Sequence, residues 1–308
     1  MSYQIRLVYT PKYDIRFLGL ELLHPFDSRK YSRAWKRLRS RFGNALDTYL
    51  SVPSAPISDE DLALVHTDVY LNLLGDSRVI AQALEVPILG YLPRSWLEKA
   101  VVGPMRWATA GTVDAAKWAI KNGCAVNFAG GYHHANSQRG EGFCLFSDVG
   151  VAVRRLRKDG ALAPEDQVAI IDLDAHQGNG FERVFMDDEN VSILDVYNSS
   201  VYPQDAVARE RIDVDIPLPH RANGEQYLSA LRNALPAFLD KENATRLVFY
   251  NAGTDTLSGD PLGGMQLSAD QVLERDRIVF EALLDRQIPF VMLPSGGYTK
   301  QSYTLIAD

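Results

Sequence analysis

The sequence predicts an α/β fold built on a mostly parallel central sheet flanked by helices. Two observations carry that expectation. Short runs rich in Val, Ile, Leu and Phe recur along the 308 residues. They lack the polar–apolar alternation of a half-solvated strand, so they read as strands buried on both faces. Longer stretches with helical spacing lie between them, and repeated strand–helix–strand order favours parallel crossovers with helices on both sides.

The first strand is expected over residues 5–9 and stops before Pro11. A basic stretch over 28–41 follows, in which Arg29, Lys30, Arg33, Lys36, Arg37, Arg39 and Arg41 crowd around Trp35 and Leu38. It reads as a solvated helix face, with an anionic partner as the alternative. A helix over 105–122 leads to a strand over 125–128, and a helix over 146–158 leads to a strand over 168–172. A strand over 191–196 comes next, then a helix over 224–240 and a strand over 247–251. The last pair is a helix over 269–286, opened by Ser268 as N-cap, and a strand over 290–293. No Pro-, Gly- or Ser-rich linker and no internal repeat interrupts the chain, so 1–308 reads as a single domain.

Composition narrows the class of function. The 39 acidic residues against 32 basic ones leave a net charge of −7, which argues against direct nucleic-acid binding through overall charge. A hydrophobic share of 46% excludes a disordered chain. Two cysteines, Cys124 and Cys144, make a disulfide framework unexpected and point to a reducing, cytoplasmic compartment. Arg6 and Pro11 interrupt the N-terminal segment before a secretory apolar region is complete, and no uncharged apolar run reaches the roughly 18 residues of a membrane span.

The chemistry sits where strands end. The strand over 125–128 runs into Gly130-Gly131-Tyr132-His133-His134, where paired glycines permit a tight turn. Tandem histidines in a loop are more often incidental than catalytic, so their setting decides. The strand over 168–172 continues as Asp172-Leu173-Asp174-Ala175-His176. In extended backbone Asp172, Asp174 and His176 would share a face. Adjacent buried carboxylates are costly unless a cation or another partner compensates them, and a metal is the economical explanation. The third strand ends in Asn251-Ala252-Gly253-Thr254-Asp255, and the fourth in Ser295-Gly296-Gly297-Tyr298. Ligands of open α/β sheets bind outside the carboxyl ends of the strands, where all four clusters are placed. Asp174, His176 and Asp255 would leave a coordination position open, as in a catalytic zinc site, although donor types alone leave Fe or Mn open. Such a metal points to hydrolysis, with His133 or His134 as base and acid and Tyr298 as hydrogen-bond donor to the oxyanion.

In this combination the motifs resemble the metal-dependent histone deacetylase family. They are Gly130-Gly131-Tyr132-His133-His134, Gly142-Phe143-Cys144, Ile171 to Gly180, Asp195-Val196-Tyr197-Asn198, Tyr250 to Asp255 and Ser295-Gly296-Gly297-Tyr298. His24-Pro25-Phe26-Asp27 resembles the class IV branch. The resemblance implies the arginase/deacetylase fold and hydrolysis of N-ε-acyl-lysine amides, acetyl or longer, in proteins or peptides. It implies zinc on Asp174, His176 and Asp255. His134 becomes the main base and acid, oriented by Asn179, and His133 its electrostatic partner, oriented by Asp172. Tyr298 is implied as oxyanion donor, and Phe143 beside Gly142 as one wall of a lysine channel, with Tyr202 opposite. A structural K⁺ or Na⁺ is implied near Asp172, Asp174, His176, Asp195 and Val196. The alternatives are a deacetylase of small acetylated amines such as acetylpolyamines, a non-catalytic acyl-lysine binder, and an arginase-like enzyme with two manganese ions.

Overall fold

In a computed structural model, residues 3–16, 27, 29–241 and 245–308 are described. The expectation for His24-Pro25-Phe26 and the start of the basic stretch at Ser28 lie outside the described residues.

Among the described residues eight strands form one sheet: β1 (Gln4–Val8), β2 (Leu50–Ser51), β3 (Gly123–Asn127), β4 (Val168–Asp172), β5 (Val191–Asn198), β6 (Val214–Leu218), β7 (Leu247–Asn251) and β8 (Phe290–Leu293). Their order is β2-β1-β3-β8-β7-β4-β5-β6, and every pairing is parallel. Parallel sheets bury both faces, and β4, β5 and β7 are buried at every residue, which is why they read as continuous apolar runs.

Successive residues of one strand enter two different cores. Ile170, Ile193, Phe249 and Val291 join the helices Gly103–Asn122 and Asp148–Lys158 on one face. Ile171, Leu194, Val248 and Phe290 join Gly224–Lys241 and Ala269–Asp285 on the other. Ser268 caps the last of these in a reciprocal capping box with Gln271.

The six expected strands and four expected helices are present; the strands over 168–172, 247–251 and 290–293 match at both ends and the other elements differ by at most two residues at an end. The helix expected from 146 begins at Asp148, because Ser147 takes the non-helical N-cap conformation ahead of it. Two strands were not anticipated: β2 is two residues long, and β6 is an edge strand whose exposure alternates and which contains Pro217. Among the described residues no helix is long and apolar enough to cross a membrane.

Candidate active site

The four polar clusters leave β3, β8, β7 and β4, which are consecutive neighbours in the sheet. Parallel pairing therefore delivers all four to the carboxyl end of the sheet. Asp174, His176 and Asp255 are buried, with ligand atoms all within 4.8 Å of one another. His176 Nδ1 lies 3.0 Å from Asp174 Oδ1 and 3.1 Å from Asp255 Oδ2. The outer oxygens are held by backbone: Gly296 N–H donates to Asp174 Oδ2 at 2.9 Å and Ala175 N–H to Asp255 Oδ1 at 2.9 Å. Two carboxylates and an imidazole nitrogen converging at a buried site fit a divalent cation of the zinc type.

Strand alternation does not produce this grouping. Beyond Asp172 the chain leaves the strand, and each acid accepts the backbone N–H two residues on: Asp174 N–H to Asp172 Oδ1 at 3.2 Å and His176 N–H to Asp174 Oδ1 at 3.1 Å. These successive Asx turns bend Asp172 away from the ligand trio. Its Oδ1 also accepts from Asn251 Nδ2 at 2.8 Å, and its Oδ2 faces His133 Nδ1 at 3.0 Å.

The two histidine rings lie with centroids 4.0 Å apart at an interplanar angle of 46°, yet their environments differ. Burial disfavours charge on His133, but Asp172 and Asp174 outweigh it and raise its pKa to about 9. Burial, reinforced by His133 and His176, keeps His134 well below the ordinary imidazole value. His134 is therefore neutral, with Nδ1 2.8 Å from Asn179 Oδ1. His176 resembles His133: burial is overcome by Asp174 and Asp255, which lift its pKa to about 10. Tyr298 is pushed well above the ordinary phenol value by burial and by Asp255 and Asp174, so it keeps its proton.

Phe143 packs edge-on against Tyr298 with centroids 5.9 Å apart, and Tyr202 packs edge-on against His134 at 5.1 Å. Tyr202 is 43% exposed and lies at the rim. Gly142 has φ +53°, and a Cβ there would lie 2.3 Å from His134 Cδ2, so glycine is required for close approach.

Asp195 stands opposite Asp172 in the β4–β5 register, and Val196 is buried beside it. Asp195 Oδ2 accepts from Gly178 N–H at 2.9 Å, whereas Asp195 Oδ1 and Glu182 Oε1 are buried without a hydrogen-bond donor. Burial together with neighbouring carboxylates raises the pKa of both. The Asp195 and Glu182 carboxyls pair through a side-chain hydrogen bond when one holds a proton, and they lie beside Asp172, where the monovalent cation was expected.

Several supporting residues were not anticipated. Lys30, expected on a solvated face, is fully buried; Nζ donates to Gly296 O at 2.9 Å and also to Ser295 O. Helical spacing held the signal, because Lys30 lies one turn before Ala34 on the face that buries Tyr31 and Trp35. Asp148 accepts from Gly131 N–H at 3.0 Å and Tyr132 N–H at 2.8 Å, which fixes the turn carrying His133 and His134. Arg275, also fully buried, ties the two ligand loops by donating to Leu173 O at 3.1 Å and Gly253 O at 2.6 Å.

Fold and site together define a buried Asp-His-Asp centre of the metal-dependent hydrolase type at the carboxyl end of a parallel sheet. Residues 24–308 match the model of the histone deacetylase domain, and the chain belongs to the histone deacetylase family of hydrolases. It is 41% identical over 309 residues to "Histone deacetylase 2" of Arabidopsis thaliana, covering 99% of this chain and 77% of that protein. It is 28% identical over 276 residues to the acetoin utilization protein AcuC of Bacillus subtilis, covering 83% and 67%. The crystal structure of an HDAC homolog from Aquifex aeolicus superposes with a TM-score of 0.75 at 25% identity, covering 99% of this chain and 81% of that one. The architecture is the arginase/deacetylase fold.

Proposed function

We propose that the protein is a zinc-dependent lysine deacylase of class IV type, which removes acetyl or longer acyl groups from N-ε-acyl-lysine in proteins or peptides. The observation that carries this reading is the meeting of Asp174, His176 and Asp255 within 4.8 Å, beside a neutral His134 and a protonated Tyr298. The class IV assignment rests on the sequence motifs.

A zinc ion held by the trio would polarise the amide carbonyl and make a water molecule acidic enough to react near neutral pH. His134 Nδ1–H donates to Asn179, which leaves Nε2 to take the proton from the attacking water and return it to the departing lysine amine. The C–N bond breaks, releasing a carboxylate and an amine. His133, held charged by Asp172, offsets negative charge at the reacting carbon without serving as the base. The Tyr298 O–H donates to the developing oxyanion. Phe143 and Tyr202 flank the lysine stem, with Gly142 leaving room for His134 between them.

One observation keeps acetylpolyamines as a second reading. After burial, the charges of Glu141 and Glu85 raise the pKa of Tyr202 against the opposing charge of Arg139, so carboxylates that would attract a second ammonium group stand near Tyr202. A panel of acyl-lysine peptides from acetyl to myristoyl, run beside acetylspermidine and acetylputrescine, separates the readings. Higher kcat/KM on a lysine peptide supports the proposal. Higher kcat/KM on the polyamines overturns its substrate class, and hydrolysis of neither overturns the activity.

A further inference from the structure

The partner that orients His134 is an amide. A carboxylate would accept the Nδ1–H from either of its oxygens, but an asparagine has one oxygen and one NH2, and only the oxygen can hold His134 in the tautomer that leaves Nε2 free. With the amide reversed, the NH2 would face Nδ1, favour the Nε2–H tautomer and remove the base. Something has to choose between the two orientations.

Asn179 Nδ2 donates to Glu141 Oε1 at 3.1 Å. Asn179 is buried, whereas the Glu141 side chain keeps 20% of its exposure at the rim. Glu141 is itself held. Arg139 Nε donates to Oε2 at 3.0 Å, Asn136 Nδ2 donates to Oε1 at 3.4 Å, and its backbone O accepts from Cys144 N–H at 3.0 Å. Asp205 lies on another side of the same amide; against burial, its pKa is lowered chiefly by Arg183, with a further contribution from a hydrogen bond with Asn179. A reversed Asn179 would turn its oxygen toward carboxylates that can only accept at neutral pH, leaving two acceptors in contact without a donor.

We propose that Glu141 is a positioning residue for the reaction: by binding the Asn179 amide nitrogen it fixes the amide oxygen on His134 Nδ1 and so sets the tautomer of the base. The role rests on the deacylase reading given above. It lets Glu141 and Asn179 together fix the His134 tautomer, as a carboxylate in direct contact with Nδ1–H would.

The test combines kinetics with a readout that needs no substrate. Glu141→Ala is expected to lower kcat on an acetyl-lysine peptide about tenfold or more, with KM changed less than about twofold. Glu141→Gln keeps an oxygen for Asn179 Nδ2 while the exposed Arg139 turns to solvent, and kcat is expected within about threefold of the starting protein. With Asn179→Asp in place the imidazole has a carboxylate of its own, so adding Glu141→Ala should cause no further loss. Long-range ¹H–¹⁵N spectra of the histidine-labelled full chain, with and without zinc, read the His134 tautomer directly. They should show Nδ1–H in the starting protein and a gain of Nε2–H in Glu141→Ala. Unchanged kcat in Glu141→Ala, equal losses in the Ala and Gln variants, or an unchanged tautomer would each overturn the role. If no acyl-lysine peptide is hydrolysed by the starting protein, the functional reading fails, while the spectra still decide the role of Glu141.

Discussion

Replacing Gly296 with Ala tests whether Asp174 and Asp255 hold the metal as the geometry places them. The Gly296 backbone is not in the left-handed region, so alanine is conformationally acceptable and the effect of the substitution is steric. Its Cβ would stand 2.2 Å from Asp255 Oδ2 and 2.5 Å from Asp174 Oδ2. To regain even 3.0 Å those oxygens must retreat by about 0.8 and 0.5 Å. The loop cannot move back instead. Gly296 O accepts from Lys30 Nζ at 2.9 Å and Thr254 N–H at 3.1 Å, and Gly296 N–H is bonded to Asp174. Displacing ligands through the shell that orients them typically weakens metal binding about 10- to 100-fold, which is about 1.4–2.7 kcal/mol. Competition with a chromophoric zinc chelator at pH 7.5 measures the change, and urea unfolding in EDTA measures separately the crowding cost of about 1–3 kcal/mol expected in the metal-free protein. A zinc Kd within twofold of the unsubstituted protein would refute the placement of the two carboxylates as ligands.

Two other substitutions probe different parts of the account. Tyr298→Phe should lower kcat by on the order of 10²- to 10³-fold while the thermal midpoint changes little, and near-normal turnover would remove Tyr298 from the oxyanion role. His66 tests acid stability away from the metal trio. It donates from Nδ1 to Asn136 O at 3.0 Å and accepts Ser147 N–H on Nε2 at 3.1 Å, and burial lowers its pKa to about 4. The unfolded chain therefore takes up this proton near pH 6.5 and the folded chain only near 4, so stability falls with pH between those values, by about 3 kcal/mol in all. In His66→Gln the loss of unfolding free energy between pH 7.5 and pH 4.5, measured in urea, should be about 2–3 kcal/mol smaller, and identical losses would contradict the assignment.

How much the sequence disclosed follows from how local each signal is. The buried strands were legible because Val168-Ala169-Ile170-Ile171 and Leu247-Val248-Phe249-Tyr250 are apolar enough to require cover on both faces. The polar clusters were legible because each directly follows such a run. The geometry within a cluster was not: alternation grouped Asp172 with Asp174 and His176, whereas Asx turns send Asp172 to His133 and Asn251. Residues whose role depends on distant chain were hidden altogether. Lys30 is separated by 265 residues from the Ser295 carbonyl it binds and sits among basic neighbours that are solvated. Glu141 reads in sequence as a polar residue between two glycines, and only the fold brings it to Asn179. Strand β6 escaped because an edge strand with Pro217 carries a weak pattern.

Restoring zinc to protein stripped with a chelator, while following hydrolysis of an acetyl-lysine peptide by the original chain and by Asp255→Ala, tests the central claim most directly. The account predicts no turnover without metal, a rate that reaches a plateau near about one zinc per chain, and a background rate for Asp255→Ala across the same titration. Turnover by the stripped protein, or full recovery of Asp255→Ala at the same zinc concentration, would contradict it.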